Sequence, residues 1–273
     1  NHLLWRWKLI FCQFLIMRVG IIAIAKNEQL YIDEWVNHHL SLGFDNIIIA
    51  DNDDEFILPG IVTDPRVVFE NYCGANGVQP LAYRGLFKKY QKDFDWLLFI
   101  DVDEFVMLDE HYASVAEFLE GFDCDEVRIS CKHFTDGDML DADGDYRVVE
   151  RFTEPIAVDE DRFVKSFINT RVNIRHRMIF GHGIYDATLE GRDALGNECD
   201  TVGHRLKYVV HKVCWLNHYR TKTIGEYIRQ KYYRGGANNN PGRYNNLDYF
   251  FRTNRRSKEK LDYANKLINE LNK

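Results

Sequence analysis

Three acidic side chains follow the apolar run at residues 96–100: Asp101, Asp103 and Glu104. Carboxylates two positions apart share one face of a strand. At a strand end, where the chain turns, both can reach one cation. Mg²⁺ and Mn²⁺ accept carboxylate oxygens while keeping coordination positions for phosphate oxygens. Asp101 and Asp103 are therefore predicted to hold a divalent metal that neutralises a diphosphate, with Glu104 supporting it.

A histidine and two cations near the other end of the chain fit the same chemistry. His218 follows the apolar run at 213–216 and precedes Arg220 and Lys222. A neutral imidazole is a suitable metal ligand, and the cations can bind a departing phosphate. The alternative for His218 is a strand-end histidine that hydrogen-bonds to backbone.

Two further residues are open to both a functional and an ordinary interpretation. His182 stands in a Gly-His-Gly turn and is a second candidate metal ligand. Lys165 precedes an apolar strand, where it either reaches phosphate or is simply exposed.

The elements that must position these residues alternate between strand and helix. Residues 19–25 are an isoleucine-rich apolar run that is typical of a strand buried on both faces. Residues 31–42 repeat aromatic and apolar side chains at helical spacing, and Gly43 can end that helix. Residues 46–50 form a second buried run. This order predicts a βαβ unit and a mostly parallel open sheet flanked by helices.

Polar residues stand where these two strands end: Lys26, Asn27, Glu28, Asp51 and Asn52. Ligands of open α/β sheets bind at the carboxyl ends of the strands. A binding crevice is therefore predicted here. The alternative is that these residues only form turns and helix caps.

The remaining pattern divides the chain into an α/β half and a more β-rich half. Strands are predicted at 67–70, 96–100, 126–130, 163–168 and 208–215, and helices at 79–90, 115–119, 225–233 and 257–271. The predicted organisation is an N-terminal extension (1–16), one domain at 17–235 divided into ligand-binding (17–130) and acceptor (131–235) halves, and a C-terminal loop and helix (236–273).

Composition excludes some classes of function. A net charge of -7 disfavours general nucleic-acid binding, which needs a basic surface to displace phosphate counterions. A basic cluster at 252–260 is interpreted as a solvated helix face, or as a peripheral contact with anionic lipid. The apolar run at 9–17 is shorter than the roughly 20 residues that span a bilayer. It is a truncated anchor, an interfacial helix, an extra strand, or sequence upstream of a natural start at Met17.

The six cysteines contain no CxxC pair. Reduced buried thiols are favoured over disulfides or zinc ligands, which fits a reducing compartment such as the cytoplasm. Disulfides formed in a secretory lumen are the alternative.

Over residues 18–235 the chain resembles the glycosyltransferases of the GT-A fold, and within them the family 2-like and family 92-like enzymes. Four ordered blocks carry the resemblance. They are the sequence IAKNE at 24–28 with Glu34-Trp35 and His38-His39, then Gly43, then WLLFIDVDEF at 96–105, and finally HYRTK at 218–222 with Lys231 and Arg234-Gly235.

The resemblance implies roles for individual residues. It assigns Ala25, Asn27, Glu28 and Asp51 to the nucleotide and Asp101 and Asp103 to the metal, and it places Gln79 and Tyr83 above the diphosphate. Two departures from the family pattern, an ADNDD turn after the second strand and Gly225 after HYRTK, leave the sugar and the acceptor open.

The resemblance also implies inversion, which needs a general base within reach of the acceptor hydroxyl. Glu226 and Asp186 are the candidates, and their ordinary roles would be helix cap and turn residue. The expected protein is a Mn²⁺- or Mg²⁺-dependent hexosyl- or pentosyltransferase. It would move a monosaccharide from a nucleotide-diphospho-sugar, a UDP-sugar above all, to a glycan or glycoconjugate hydroxyl. Nucleotidyl transfer and a non-catalytic carbohydrate-binding domain are the alternatives.

Overall fold

A curled, mostly parallel central sheet with helices on its faces forms the scaffold of the protein. The computed structural model describes residues 17–174, 179–181, 183–233 and 246–273. Within those residues eleven strands join the sheet, and its main path runs through residues 198–199, 191–193, 126–134, 164–169, 96–99, 19–25, 46–51 and 67–71 in that order. The predicted fold class, a GT-A-type α/β domain with a more irregular β-rich second half, is confirmed.

The first half of the chain supplies the parallel part of the sheet. Its elements are β1 (Val19–Ala25), α1 (Ile32–Ser41), β2 (Asn46–Asp51), β3 (Val67–Asn71), α2 (Gln79–Tyr90) and β4 (Trp96–Phe99). β1 pairs in parallel with both β2 and β4, and β2 pairs in parallel with β3. Their carboxyl ends therefore lie along one edge.

Each face of this half has its own apolar core. Trp35 of α1 packs with Ile21 and Ala23 on one face of β1, whereas Phe87 of α2 packs with Ile22 and Phe99 on the other. All six of these side chains are 0% exposed. Burial of one such large side chain contributes about 1.5–3 kcal/mol, so the unbroken apolar run of β1 stabilises both layers.

The second half of the chain mixes parallel and antiparallel pairs. Its elements are β5 (Glu104–Leu108), α3 (Val115–Leu119), β6 (Glu126–Phe134), β7 (Pro155–Ile156), β8 (Val164–Asn169), β9 (Ile179–Phe180), β10 (Gly183–Ile184), β11 (Gly191–Asp193), β12 (Glu198–Cys199) and β13 (Cys214–His218). β9 and β10 form a separate two-stranded sheet, and the other strands join the central one. β6 is longer than the predicted strand because residues 126–130 pair with β8 and residues 131–134 continue it by pairing with β13 and β7.

One predicted strand is wrong in its first part. Residues 208–213 form no strand, and pairing begins only at Cys214. Tyr208 is 78% exposed and Val213 has a φ of 67°, so the apolar pattern here belongs to a surface turn rather than to a ladder. Pattern alone cannot distinguish the two, because a strand also needs a neighbour to pair with.

Helices close the described chain. They are α4 (Ile224–Tyr227), a π-helix (Ile228–Tyr232), α5 (Leu247–Phe250) and α6 (Lys258–Leu271). The terminal helix predicted at 257–271 is confirmed, and Ser257 caps it by accepting a hydrogen bond from the backbone of Lys260. Such a cap stabilises a helix by about 1 kcal/mol.

The basic cluster at 252–260 is partly internal. Lys260 is only 2% exposed and its Nζ lies 2.5 Å from Asp136 and 2.8 Å from Asp138. Arg256 pairs with Asp248 at 2.6 Å. The ion pairs of Lys260 attach α6 to the loop that follows β6, whereas that of Arg256 joins the segment before α6 to α5.

Two other expectations concern cysteines and membranes. Cys73, Cys124, Cys131, Cys199 and Cys214 are unpaired in the described part of the chain; Cys124, Cys131 and Cys214 are buried, and Cys73 and Cys199 are half-buried. Across the described ranges, no helix has both the length and the apolar character needed to cross a bilayer. The predicted extension at 1–16 lies outside the described residues.

Candidate functional site

The acidic turn sits between two strands and beside the end of a third. Asp101 and Asp103 stand in the turn that joins β4 to β5. β5 pairs with β13, and the register sets Glu104 opposite His218. The backbone N–H of Tyr219 donates to the carbonyl of Asp103 at 2.9 Å. Two segments far apart in the sequence are thereby brought together.

Asp101 contacts an amide and an ammonium group. Gln79 donates to its Oδ1 at 3.0 Å and to the hydroxyl of Tyr83 at 3.2 Å. Lys165 lies 2.6 Å from its Oδ2 and 3.0 Å from Glu104. The structure therefore brings Gln79 and Tyr83 to the acidic turn.

Lys165 is an internal counter-ion rather than an exposed side chain, because it is 1% exposed. Burial alone would lower the pKa of its ammonium, but the carboxylates of Asp101 and Glu104 outweigh burial and hold that pKa well above its ordinary value.

Asp103 is paired on one oxygen only. Its Oδ2 lies 2.5 Å from the ammonium of Lys231, and its Oδ1 faces Nε2 of His218 at 3.6 Å. Burial opposes ionisation of Asp103, but Lys231 and the neighbouring His218 hold its pKa well below the ordinary value. Asp103 is thus a carboxylate with one oxygen turned toward an imidazole.

The residues present fit a divalent cation. A separation of 3.6 Å between Asp103 Oδ1 and His218 Nε2 is too long for a hydrogen bond and suits two ligands of one ion. Burial lowers the pKa of His218 to about 3, so its imidazole is neutral and able to coordinate. The side chain of Asp101 is 38% exposed and can face an incoming ion.

A further row of donor atoms lies behind His218. Its Nδ1 is buried, has no hydrogen-bond partner among the described residues, and is 3.6 Å from Glu104. Donor atoms of Glu104, Cys131 and His218 all lie within 4.8 Å of one another. The centre of the His133 ring is 4.9 Å from that of the His218 ring, and Nδ1 of His133 lies 2.7 Å from Asp161. These buried groups hold the His218 ring in a defined position.

Lys222, Gln230 and Lys231 form a surface that we term the cation wall. Lys222 donates to Gln230 at 3.2 Å and lies 4.1 Å from the centre of the Tyr31 ring. Gln230 in turn donates to the carbonyl of Asn27 at 3.1 Å. The π-helix turns both Gln230 and Lys231 into the interior, and such bulges are frequent at functional sites.

Residues 25–28 and 51–53 form the adjoining surface, which we term the donor wall. Asn27 has a φ of 56°, and its backbone N–H donates to Asp53 at 2.5 Å. Asn52 donates its backbone N–H to the carbonyl of Ala25 at 2.8 Å. Glu28 is 5% exposed. The predicted nucleotide residues therefore lie together at the ends of β1 and β2.

Asp51 has a particular place in this wall. It is 0% exposed, and its two oxygens accept backbone hydrogen bonds from Asp53 at 3.1 Å and Leu58 at 3.2 Å. Both oxygens are engaged in shaping the loop after β2. The sequence placed Asp51 at the crevice, and the structure shows it supporting the crevice from inside.

Glu226, a predicted general base, is 2% exposed and has several partners. Its oxygens accept from both terminal nitrogens of Arg151 at 3.1 and 2.7 Å and from Tyr31 at 3.0 Å. They also accept from the hydroxyl of Thr223 at 2.7 Å and from its backbone N–H at 3.1 Å, and the backbone bond completes a capping box at the start of α4. These contacts hold its pKa below the ordinary value, against the raising effect of burial.

Asp186, the other predicted base, lies in the turn after β10. Its side chain accepts hydrogen bonds from Thr188 at 2.8 and 2.7 Å, and it is partly exposed. A Cβ on Gly181 would lie 3.6 Å from the Gln79 side chain, so the β9–β10 hairpin adjoins the residue that binds Asp101. His182, the second candidate metal ligand, lies outside the described residues.

Several site residues were not assigned a role from sequence. Lys231 matches the family pattern, but nothing in the pattern pairs it with Asp103. Gln230 and Asp53 carried no signal beyond polarity. Their common feature is a partner distant in sequence, which only the fold supplies.

Comparisons with known proteins reach only part of the chain. No protein-family model and no curated protein matches it. TarS of S. aureus, in a structure of its residues 1–349, is 19% identical over 43% of this chain and 36% of that one, with a TM-score of 0.34. The mannosyltransferase PcManGT of Pyrobaculum calidifontis, solved with GDP-Man and Mn²⁺, is 15% identical over 47% and 37%, with a TM-score of 0.32.

A 4-diphosphocytidyl-2C-methyl-D-erythritol synthase from Anaerococcus prevotii is 13% identical over 57% of this chain and 72% of that one, with a TM-score of 0.31. The matches span little more than a third of the TarS and PcManGT chains. At this level of similarity, the function has to be argued from the site itself.

Proposed function

We propose that the protein is a glycosyltransferase that moves a monosaccharide from a nucleotide-diphospho-sugar, a UDP-sugar above all, to a glycan or glycoconjugate hydroxyl. One observation carries the proposal. Asp103 turns one oxygen toward the neutral imidazole of His218 while its other oxygen is paired with Lys231, at the sheet edge where the donor wall also ends.

In this proposal Asp101, Asp103 and His218 hold Mn²⁺ or Mg²⁺, which when bound supplies positive charge to a diphosphate. Lys222 and Lys231 add fixed positive charge at the same place. Because both ammonium groups are buried, their attraction for phosphate is stronger than it would be in water. The leaving nucleoside diphosphate is thereby stabilised.

The donor wall binds the nucleotide. Asn27 and Glu28 line the crevice above the buried Ala25, and Asp51 holds the loop that forms its far side. Gln79 and Tyr83 keep Asp101 oriented beneath the diphosphate. Orientation of this kind lowers the barrier because the reacting groups need not be ordered in the transition state.

For inversion, Asp186 is the proposed general base. Asp186 is partly exposed, and it follows the β9–β10 hairpin, whose Gly181 adjoins Gln79. Glu226, whose oxygens are already engaged by Arg151, Tyr31 and Thr223, is proposed to hold the cation wall in place instead. Asp186→Asn should lower kcat by at least about 100-fold with little change in donor affinity. Wild-type kcat in that variant would remove Asp186 from the mechanism.

The decisive experiment is incubation of the protein with a panel of nucleotide sugars, with Mn²⁺ or with EDTA, followed by product identification. Release of nucleoside diphosphate that depends on metal supports sugar transfer. Release of pyrophosphate would instead identify nucleotidyl transfer. Glycan binding without any turnover or nucleotide binding would identify a non-catalytic domain.

A further inference from the structure

Arg220 is a buried cation whose donors are not all used. Its side chain is 9% exposed, and its Nε and Nη2 are buried without a hydrogen-bond partner in the described part of the protein. An unpaired buried donor costs about 1–3 kcal/mol, and more when the group is charged. That cost is removed when a ligand supplies the missing acceptor.

Arg128, a second buried arginine, has most of its guanidinium donors satisfied. It is 0% exposed, and its terminal nitrogens donate to the carbonyls of Asp200, Thr201 and Gly203 at 2.9–3.1 Å. Its Nε makes no hydrogen bond but lies 3.3 Å from the carboxylate of Glu126, which balances the charge. Arg220 has no comparable set of acceptors. The contrast indicates that the acceptor for Arg220 is not part of the described chain.

The surroundings of Arg220 are also short of negative charge. Its guanidinium lies 5.0 Å from the centre of the Tyr249 ring, and that of Arg252 lies 5.4 Å from the same ring. Neither arginine forms an ion pair with any described carboxylate. Two cations on one aromatic ring attract an anion more strongly than either does alone.

A buried hydroxyl group without a partner lies in the segment that follows α5 and contacts the HYRTK block. Asn254 donates to Thr221 at 3.0 Å, which holds the segment after α5 against the HYRTK block at residues 218–222. Thr253, next to Asn254, is 5% exposed, and its Oγ1 has no partner among the described residues. A hydroxyl and a guanidinium are a common donor set for phosphate or carboxylate oxygens.

We propose that Arg220 and Thr253, with Arg252 at the rim, form a subsite for an oxyanion, a phosphate or a carboxylate, on the acceptor side of the site. Arg220 lies between His218 and Lys222 in sequence but stacks on Tyr249 of α5, whereas Lys222 stacks on Tyr31. The subsite is thus formed with the C-terminal helices. It rests on the proposed function only for the source of the anion, either an acidic acceptor or the donor diphosphate.

The experiment measures the shift in melting temperature, and it measures binding by calorimetry. Three conditions are compared: inorganic phosphate alone, UDP with Mn²⁺, and phosphate added to protein already saturated with UDP and Mn²⁺. The variants are Arg220→Met, which keeps the length of the side chain, and Thr253→Val, which keeps its shape. Arg66→Met, at an exposed arginine paired with Asp64, is the control.

An acceptor subsite predicts that phosphate still binds the UDP-loaded wild type, and that Arg220→Met weakens this binding at least about 10-fold while UDP affinity is unchanged. A diphosphate subsite predicts instead that Arg220→Met weakens UDP binding by a similar factor. In both cases Thr253→Val shows the same pattern to a smaller degree, and Arg66→Met matches wild type.

The inference is overturned if phosphate and UDP bind Arg220→Met as they bind wild type, or if wild type binds neither. If wild type binds phosphate but does not bind UDP, the proposed function is rejected and the oxyanion subsite is retained. Arg220→Met should be at least as stable as wild type without phosphate, because it removes an unpaired buried charge. A marked loss of stability would show that Arg220 is structural and would also overturn the inference.

Discussion

The donor wall and the cation wall meet at the hydrogen bond between Gln230 and Asn27, but they are stabilised in different ways. In the donor wall, carboxylates accept hydrogen bonds from nearby backbone, as Asp51 does from Asp53 and Leu58. In the cation wall and behind it, buried charges pair across long sequence separations, as Lys231 does with Asp103.

This difference has an energetic consequence. Loss of one neutral hydrogen bond in the donor wall costs about 1 kcal/mol, whereas removal of one partner from a buried ion pair leaves an uncompensated charge and costs about 3–5 kcal/mol. The donor wall should tolerate substitution, and the cation wall should not. Four substitutions test that contrast.

The largest effect is expected for Asp103→Asn. It removes a proposed metal ligand and the counter-charge of Lys231, so donor turnover with Mn²⁺ should fall by about 100- to 1000-fold. Nucleoside diphosphate release measures this. Circular dichroism and a melting curve serve as the folding control, and a folded variant with wild-type turnover would exclude Asp103 from the metal site.

Arg151→Met tests the pair behind the cation wall. It leaves Glu226 buried without its bidentate partner, so the free energy of unfolding should fall by about 3 kcal/mol in urea titrations. The double variant Arg151→Met, Glu226→Gln should recover part of the loss because the stranded charge is removed. A double variant less stable than Arg151→Met would contradict this account.

Asp53→Asn makes the matched change in the donor wall. The amide oxygen can still accept from the backbone of Asn27, and only the contact with Gln29 at 3.3 Å is weakened. A stability loss of about 1 kcal/mol and a few-fold rise in the KM for the donor are expected. A loss as large as that of Arg151→Met would show that the two walls do not differ.

Lys26→Met should have the smallest effect. Lys26 contacts Asp54 at 3.4 Å, and the Asp54 side chain is 91% exposed, so solvent screens the pair. A change in stability below about 0.5 kcal/mol is expected in the same urea titration. A larger loss would place Lys26 among the structural residues of the donor wall.

The parallel half of the fold was predictable because its signals are local. The isoleucine-rich strand β1 and the helix α2 have the predicted bounds, Val19–Ala25 and Gln79–Tyr90. Burial on both faces leaves such strands few alternatives. The false strand at 208–213 marks the limit of this reasoning, since an apolar pattern contains no information about a pairing partner.

The candidate site was predictable only in part. The acidic turn could be placed at a strand end because the preceding apolar run is unambiguous. The capping role of Glu226 depends on neighbouring residues and could be predicted. Its burial against Arg151 and Tyr31 could not, because both partners are distant in the sequence. The same holds for Lys165, which the sequence left open between phosphate contact and exposure.

The sequence by itself determined the order of the strands and helices in the first half, the position of Asp101 and Asp103 at a sheet edge, and the presence of cations after His218. These follow from periodicity and from strand ends, which depend on neighbouring residues. Only the tertiary structure decided which charges meet: Lys165 with Asp101, Lys231 with Asp103, and Arg220 with no described carboxylate. Pairing energies depend on distance and burial in space, and neither can be read from the spacing of residues along the chain.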